Sequence, residues 1–507
     1  MATSYLTPGV YVEEVDRGSK PIEGVGTAVA AFVGVAERGP IGAPTMIPNW
    51  TRFTEIFGGF VPGAYLAHSV YGYFNNGGGL CYVVRAGNAD DQDAGPPVSA
   101  AAIPGRAGAD SIRALAKGGS SDPVSVEVTT GEDESFTFII RGGGAEERYE
   151  GLSMGRGAKN AFEVVNKASQ LVTLEEIRSQ APIAERAPAP GTYALAIPER
   201  MTRAMEKVNP AEYAGDVAER TGLGGLEAID EITMVCAPDI MAAFEAGALD
   251  KDGVKAIQLE MTAHCERMGD RVAILDPLPG LSAQQALDWR MNEAGYDSKY
   301  AALYYPWVQV PNQNPNASST TMLMPPSGHM AGIWARSDGE RGVHKAPANE
   351  VARGVLGLAL NVTHAEQGVL NPVGINCIRA FPGRGIRVWG ARTLSSDPSW
   401  RYLNVRRLFN YVEESIQNGT QWVVFEPNDY ALWQRVKRDI SAFLKRVWMS
   451  GALFGATPEE AFFVKCDAEN NPPELRDVGQ LVIDIGLAPV KPAEFVIFRI
   501  SQFTPGS

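Results

Sequence analysis

The clearest periodicity in the chain lies towards its C-terminal end. Val405, Leu408, Phe409, Val412 and Ile416 recur at a spacing that puts them on one face of a helix. Asn404 stands where an N-cap is expected, and Gly419 where a left-handed C-terminal cap is expected. Gln421 to Phe425 is short, aromatic and β-branched, and Pro427 ends it, which predicts a strand. A second helix is predicted from Asn428 or Asp429. Its apolar face is Leu432, Val436, Ile440, Phe443, Leu444 and Val447. Three extended segments follow: Ala461 to Cys466, the alternating Leu481, Ile483 and Ile485, and Phe495 to Phe503. Pro472, Pro473, Pro489 and Pro492 separate them.

Upstream, residues 1–20 read as an extended arm, with Tyr5, Val10, Val12 and Val15 as strand formers broken by Pro8-Gly9. Residues 27–36 predict a buried strand, 66–74 a helix and 81–85 a strand. Composition shifts at Gly87 to Ala, Gly, Asp and Pro. Two alternating stretches, 124–128 and 136–140, predict a β-rich insertion, with a helix at 158–170. Residues 179–222 carry little pattern and read as surface loops or an outward projection. From Ile229 the order becomes strand (232–236), helix (254–268), strand (271–275), helix (283–293), strand (301–305), which argues for a parallel α/β arrangement. The expected class is mixed α/β in several domains. These are an arm strand (1–20), a core (21–87 with 329–487), an outer β-rich insertion (88–228), an inserted α/β subdomain (229–328) and a terminal arm strand (488–507).

Charge narrows the function. The net charge is -14, which argues against a nucleic-acid binder. Against that background the second C-terminal helix carries Arg435, Arg438, Lys445 and Arg446 at helical spacing. That stripe is either a solvated face or a docking surface for an acidic partner. The five cysteines lie far apart without a CxxC pair, so neither a disulfide nor a zinc framework is expected. The N-terminal stretch has no basic region followed by an apolar core, and no apolar run is long enough to cross a bilayer. Cytoplasmic synthesis is expected, with no membrane insertion.

Motifs for catalysis are weak. Gly151-Leu152-Ser153-Met154-Gly155 matches the nucleophile elbow G-x-S-x-G, but highly charged residues precede Ser153 where a buried strand is required. The loop after the first strand of the α/β run is Ala237-Pro238-Asp239, without the glycines that cradle a phosphate. His264, Cys265 and Glu266 are neighbours on one helix and cannot alone surround a metal. Phe381 to Arg387 is Gly-rich and basic. It reads either as an anion-binding loop or, the favoured reading, as a turn between strands whose arginines pair with a neighbouring acidic face. No catalytic residue, cofactor or metal is expected.

Several blocks resemble one family. Phe381-Pro382-Gly383-Arg384-Gly385-Ile386-Arg387-Val388-Trp389-Gly390-Ala391-Arg392-Thr393-Leu394 and Trp400-Arg401-Tyr402-Leu403-Asn404-Val405-Arg406-Arg407-Leu408 resemble the C-terminal domain of contractile tail sheath proteins. These include phage tail sheaths, R-type pyocins and extracellular contractile injection systems. The stretches 7–16, 26–34, 49–59 and 335–349 are similar to other blocks of that family. The resemblance implies hexameric rings stacked around an inner tube, with baseplate and tail-terminator or cap proteins as further partners. It also implies terminal arms that pair with neighbouring copies. On this chain those arms carry Val10, Tyr11, Val12, Val15, Phe495, Ile497, Phe498 and Ile500. The other readings are an α/β enzyme using Ser153 and a different self-assembling tube or shell protein.

Overall fold

The structure is a computed structural model. It describes residues 21–499 except 88–98, 107, 109, 118–123, 132–134, 143, 156, 178–181, 196–208 and 315–318. The chain divides into two compact units, Gly26–Arg407 and Met1–Val25 with Leu408–Ser507.

In the larger unit, β1 (Val29–Gly34), β2 (Thr45–Ile47), α1 (Trp50–Phe57), α2 (Leu66–Asn76) and β3 (Leu80–Arg85) come first. Asn49 caps α1 by accepting the Arg52 amide. The insertion follows, with its own apolar core that includes Ile112, Val126, Phe138, Ile140, Val165 and Leu174. Its strands are β4 (Ala100–Pro104), β5 (Asp110–Ala116), β6 (Ser125–Thr130), β7 (Phe136–Gly142), β8 (Ala145–Leu152), β9 (Val172–Glu176) and β10 (Gly191–Ala194), with α3 (Ala161–Ala168) before β9. They form one sheet in the order β4-β5-β9 and a second in the order β10-β6-β7-β8.

The described parts of the stretch expected to be loops, 182–195 and 209–222, hold more regular structure than its pattern suggests. Gly191–Ala194 is an edge strand on β6. The short helices Pro210–Ala214 and Gly222–Gly225 bury Tyr213 and Leu223 in the main core. Single apolar anchors, too sparse to show a period, fix these segments.

After the insertion come β11 (Met234–Cys236), α4 (Asp239–Glu245), α5 (Lys251–Met268), β12 (Val272–Leu275), β13 (Ala301–Tyr305), β14 (Val308–Pro311) and β15 (Thr321–Met324). Then α6 (Ser327–Arg341), β16 (Gly357–Leu358), α7 (His364–Leu370), β17 (Ile375–Phe381) and β18 (Gly385–Val388) complete the unit. The main sheet runs β18-β17-β13-β12-β11-β1-β3-β2. The six strands from β17 to β3 are parallel, and an antiparallel strand closes each end. The strands of 229–305 therefore join those of 29–85 in one sheet around one core, rather than making a sheet of their own. Runs such as Val272–Leu275 and Ala301–Tyr305 are buried throughout, as parallel strands covered on both faces must be. Glycines let α6 approach α2 closely: a Cβ on Gly332 would lie 2.4 Å from the Tyr73 carbonyl.

The smaller unit is built on α8 (Leu403–Gly419, most of it in this unit) and α9 (Tyr430–Met449). Asp429 caps α9, accepting from the Leu432 amide at 2.8 Å. Three expectations need correction here. Helix α8 begins at Leu403, before Asn404, whose side-chain amide donates to the His344 carbonyl. Gly419 is not left-handed; it stays small because a Cβ there would lie 2.7 Å from Ile22. Gln421 to Phe425 is not a strand. Gln421–Val423 forms one 3-10 turn, Phe425 sits at φ +69, and among the described residues no strand pairs with the stretch. The other strands of this unit are β19 (Phe462–Lys465) and β20 (Asp484–Leu487), paired antiparallel.

Candidate assembly surfaces

Helix α9 sorts its basic residues into two kinds. Arg438 and Lys445 project from the side opposite the buried stripe of Leu432, Val436, Ile440, Phe443 and Val447 and are exposed. Arg438 pairs with the neighbouring Asp439 at 3.2 Å. Arg435 and Arg446 flank that side and have local work. Arg435 pairs with Glu426 at 3.2 Å and lies 5.3 Å from the Trp422 ring centroid. Arg446 donates to the Ile22 carbonyl and lies over Phe443, tying the segment that follows the N-terminal arm to this helix. Helical spacing already sets the two pairs at different angles to the stripe, but the partners of Arg435 and Arg446 come only from the fold.

The sheet of β19 and β20 has two strands, and among the described residues neither outer edge is paired. Phe463 covers the Cβ-less Gly486 opposite it. Downstream, Phe495, Val496, Ile497 and Phe498 are 69–84% exposed. Four consecutive exposed apolar residues are a hazard unless something covers them. Of the arm residues, Val10, Tyr11, Val12, Val15 and Ile500 lie outside the described residues.

The catalytic candidates do not assemble. Ser153 follows β8, but α3 begins only at Ala161. Between them the Ser153 amide donates to the Lys159 carbonyl, closing a loop. An elbow requires the helix at once. The main sheet does reverse its strand order between β1 and β11, where open α/β sheets bind ligands. There the Asp239 carboxylate accepts the amides of Val35 at 2.6 Å and of Tyr65 and Leu66 at the start of α2. The donors that would hold a phosphate are satisfied by the chain itself. Burial raises the Asp239 carboxyl to about 6 against those three bonds. His264 is buried, with burial and then Arg271 lowering its basicity to about 3. All five cysteines are free and buried. Among the described residues no group of three His, Cys, Asp or Glu could hold a metal, and no helix is long and apolar enough to cross a membrane. The Phe381–Arg387 turn joins β17 and β18 as expected. Among the described residues its arginines, Arg384 and Arg387, pair with no acidic face; their partners are carbonyls, the Asn349 side chain and the rings of Phe381 and Trp389.

Two family models match consecutive parts of the chain. "Phage tail sheath protein central domain" matches residues 219–394 and "Phage tail sheath C-terminal domain" residues 395–503. The chain belongs to the phage tail sheath family. The tail sheath protein of Burkholderia phage BcepMu is 25% identical, over 98% of this chain and 97% of that protein. Among solved sheaths, the anti-feeding prophage helical sheath in its contracted state is 26% identical with a TM-score of 0.60. It covers 98% of this chain and 100% of that one. The sheath complex of the extracellular contractile injection system PVC, also contracted, is 25% identical with a TM-score of 0.56, over 99% of both chains. The insertion of this sheath-family chain is included in those matches.

Proposed function

We propose that this protein is the sheath subunit of a contractile injection machine. Six copies form a ring around an inner tube, rings stack helically, and a baseplate trigger releases contraction that drives the tube through a target envelope. Terminator or cap proteins close the distal end. The subunit is made in the cytoplasm and acts within a phage tail-like particle. It needs no cofactor and no catalysis, because the work comes from the free-energy gap between two packings of the same subunits. The likeness to solved contractile sheaths over nearly the whole chain is the observation that carries this reading.

The smaller unit supplies a physical motive. A two-stranded sheet is marginal by itself, and its open edges invite added strands. The N-terminal arm of one neighbour and the C-terminal segment of another complete it. A twenty-residue arm reaches roughly 3.3–3.6 Å per residue when extended, enough to cross to an adjacent subunit. Such a link stays paired while subunits swing.

Electron microscopy of the purified protein tests this. Wild type should form long hollow polymers. A variant lacking residues 2–16 should keep its circular dichroism spectrum yet form no long sheaths. Normal-length polymers from the deletion would refute the arm assignment, and a compact wild-type oligomer would refute the sheath reading.

A further inference from the structure

The hairpin of β17 and β18 carries an electrostatic conflict. Arg379 stands directly opposite Arg387 in the antiparallel register, and like charges so placed repel. Alternation along each strand puts Arg379, Phe381, Arg387 and Trp389 on one face, while Ile378 and Val388 on the other face are buried. The rings of Phe381 and Trp389 lie 4.5 Å apart. Arg384 reaches back from the turn over both, 5.5 and 5.6 Å from their centroids. Gly383 and Gly385, at φ +71 and +77, make that reversal possible.

Each guanidinium is fixed by neutral acceptors. Arg379 donates to the Val362 carbonyl at 3.1 Å and to Gln367 Oε1 at 2.8 Å. Arg387 donates to the carbonyls of Arg384 at 3.0 Å and Asn349 at 2.7 Å. Arg384 donates to Asn349 Oδ1 at 3.0 Å. The flanking carboxylates are committed elsewhere. Glu350 pairs with Lys345 at 2.6 Å, and Glu366 caps α7 through the Thr363 amide. The result is a rigid platform of three cations whose charge no described carboxylate of the chain neutralises. It heads a stretch, Arg379 to Arg407, with seven arginines against one acid, Asp397, a net charge of +6 in a chain of -14.

The complementary charge is also on this chain. From Glu459 to Asp484 there are seven acidic residues and two basic ones, a net charge of -5. Glu459, Glu474 and Asp477 are exposed and have no ion-pair partner among the described residues. Within the insertion, Glu127 and Glu146 pair with Arg141, Glu150 with Arg148 and Glu176 with Arg186. A chain this acidic repels polyanions such as nucleic acid.

We propose that the Arg379–Arg384–Arg387 platform docks the acidic segment 459–484 of a second copy of this chain. The inference rests on the sheath reading above. The contact joins two different patches, so it is heterologous and propagates into rings or open helices. Opposed potentials set its register and weaken with salt.

A charge swap tests it. Variant one is Arg384→Glu/Arg387→Glu and variant two is Glu474→Lys/Asp477→Lys. Circular dichroism should match wild type for both; where the double reversal unfolds the hairpin, Arg384→Glu alone at the exposed turn serves instead. Each variant alone should pellet as polymer at least tenfold less than wild type at low salt. An equimolar mixture should recover polymers, because every contact then joins opposite charges. Normal polymerisation of variant one would overturn the proposal, as would failure of the mixture or a loss confined to tube capture. Wild type that never polymerises would instead bring down the sheath reading itself.

Discussion

At the residue scale, the larger unit holds titratable groups in its interior without catalytic use. His68 on α2 and His329 on α6 are buried, and burial lowers each to about 4, with His68 adding to the shift on His329. Because their folded basicity is depressed, the unfolded chain binds more protons between about pH 6.5 and 4. Stability is therefore full above 6.5 and falls as pH drops through that window. Asp239 and Asp276, raised by burial to about 6 and about 7, act in the opposite sense, losing stability as pH rises from about 4 towards those values. Between pH 7 and 4.5 the histidines cost about 2 kcal/mol each. Denaturant melts at both values should show a His68→Gln/His329→Gln variant losing less stability on acidification than wild type. Equal losses would remove the histidines from the account. Phe425 belongs to this scale too, since a bulky residue held at positive φ and fully exposed stores strain.

At the element scale, α9 carries exposed cations beside cations that are engaged within its own unit. We propose that Arg438 and Lys445 face acidic groups on the tube, with Arg435 and Arg446 beside them. Charge reversal at Arg438 and Lys445 touches exposed side chains and should change stability by no more than about 0.5 kcal/mol. Co-purified tube should fall about tenfold or more. Arg446→Glu has a different signature: losing the bond to the Ile22 carbonyl should cost about 1–2 kcal/mol and free the segment after residue 20. Undiminished tube recovery by the Arg438/Lys445 reversal would move the tube surface to another element, with α8 next in line.

At the scale of the whole molecule, the insertion is a domain within a domain. Its core is separate from the main one, and its two sheets close around Phe138, Ile140 and Val165. A fragment spanning residues 96–197 should fold by itself, with a strand-type circular dichroism spectrum and a cooperative melt. A disordered fragment would show that the insertion depends on the main sheet. We expect polymerisation to tolerate its removal, as the composition break at Gly87 suggests.

Strong periods and blocks of sequence already determined much of this protein. The stripes of α8 and α9, the start of α9 near Asn428 or Asp429 and the strand–helix alternation after Ile229 were legible because local spacing alone places those side chains on one face. The family was legible in the blocks at 381–394 and 400–408. Tertiary structure decided what depends on distant partners. Strand order brought 29–85 and 229–305 into one sheet, and Asp239 filled the crevice between them across some two hundred residues of chain. Gln421 to Phe425 has the residues of a strand but, among the described residues, no strand to pair with, so propensity lost to topology. The like-charged rung of Arg379 and Arg387 is invisible in a linear reading, because only the hairpin register makes those two residues neighbours.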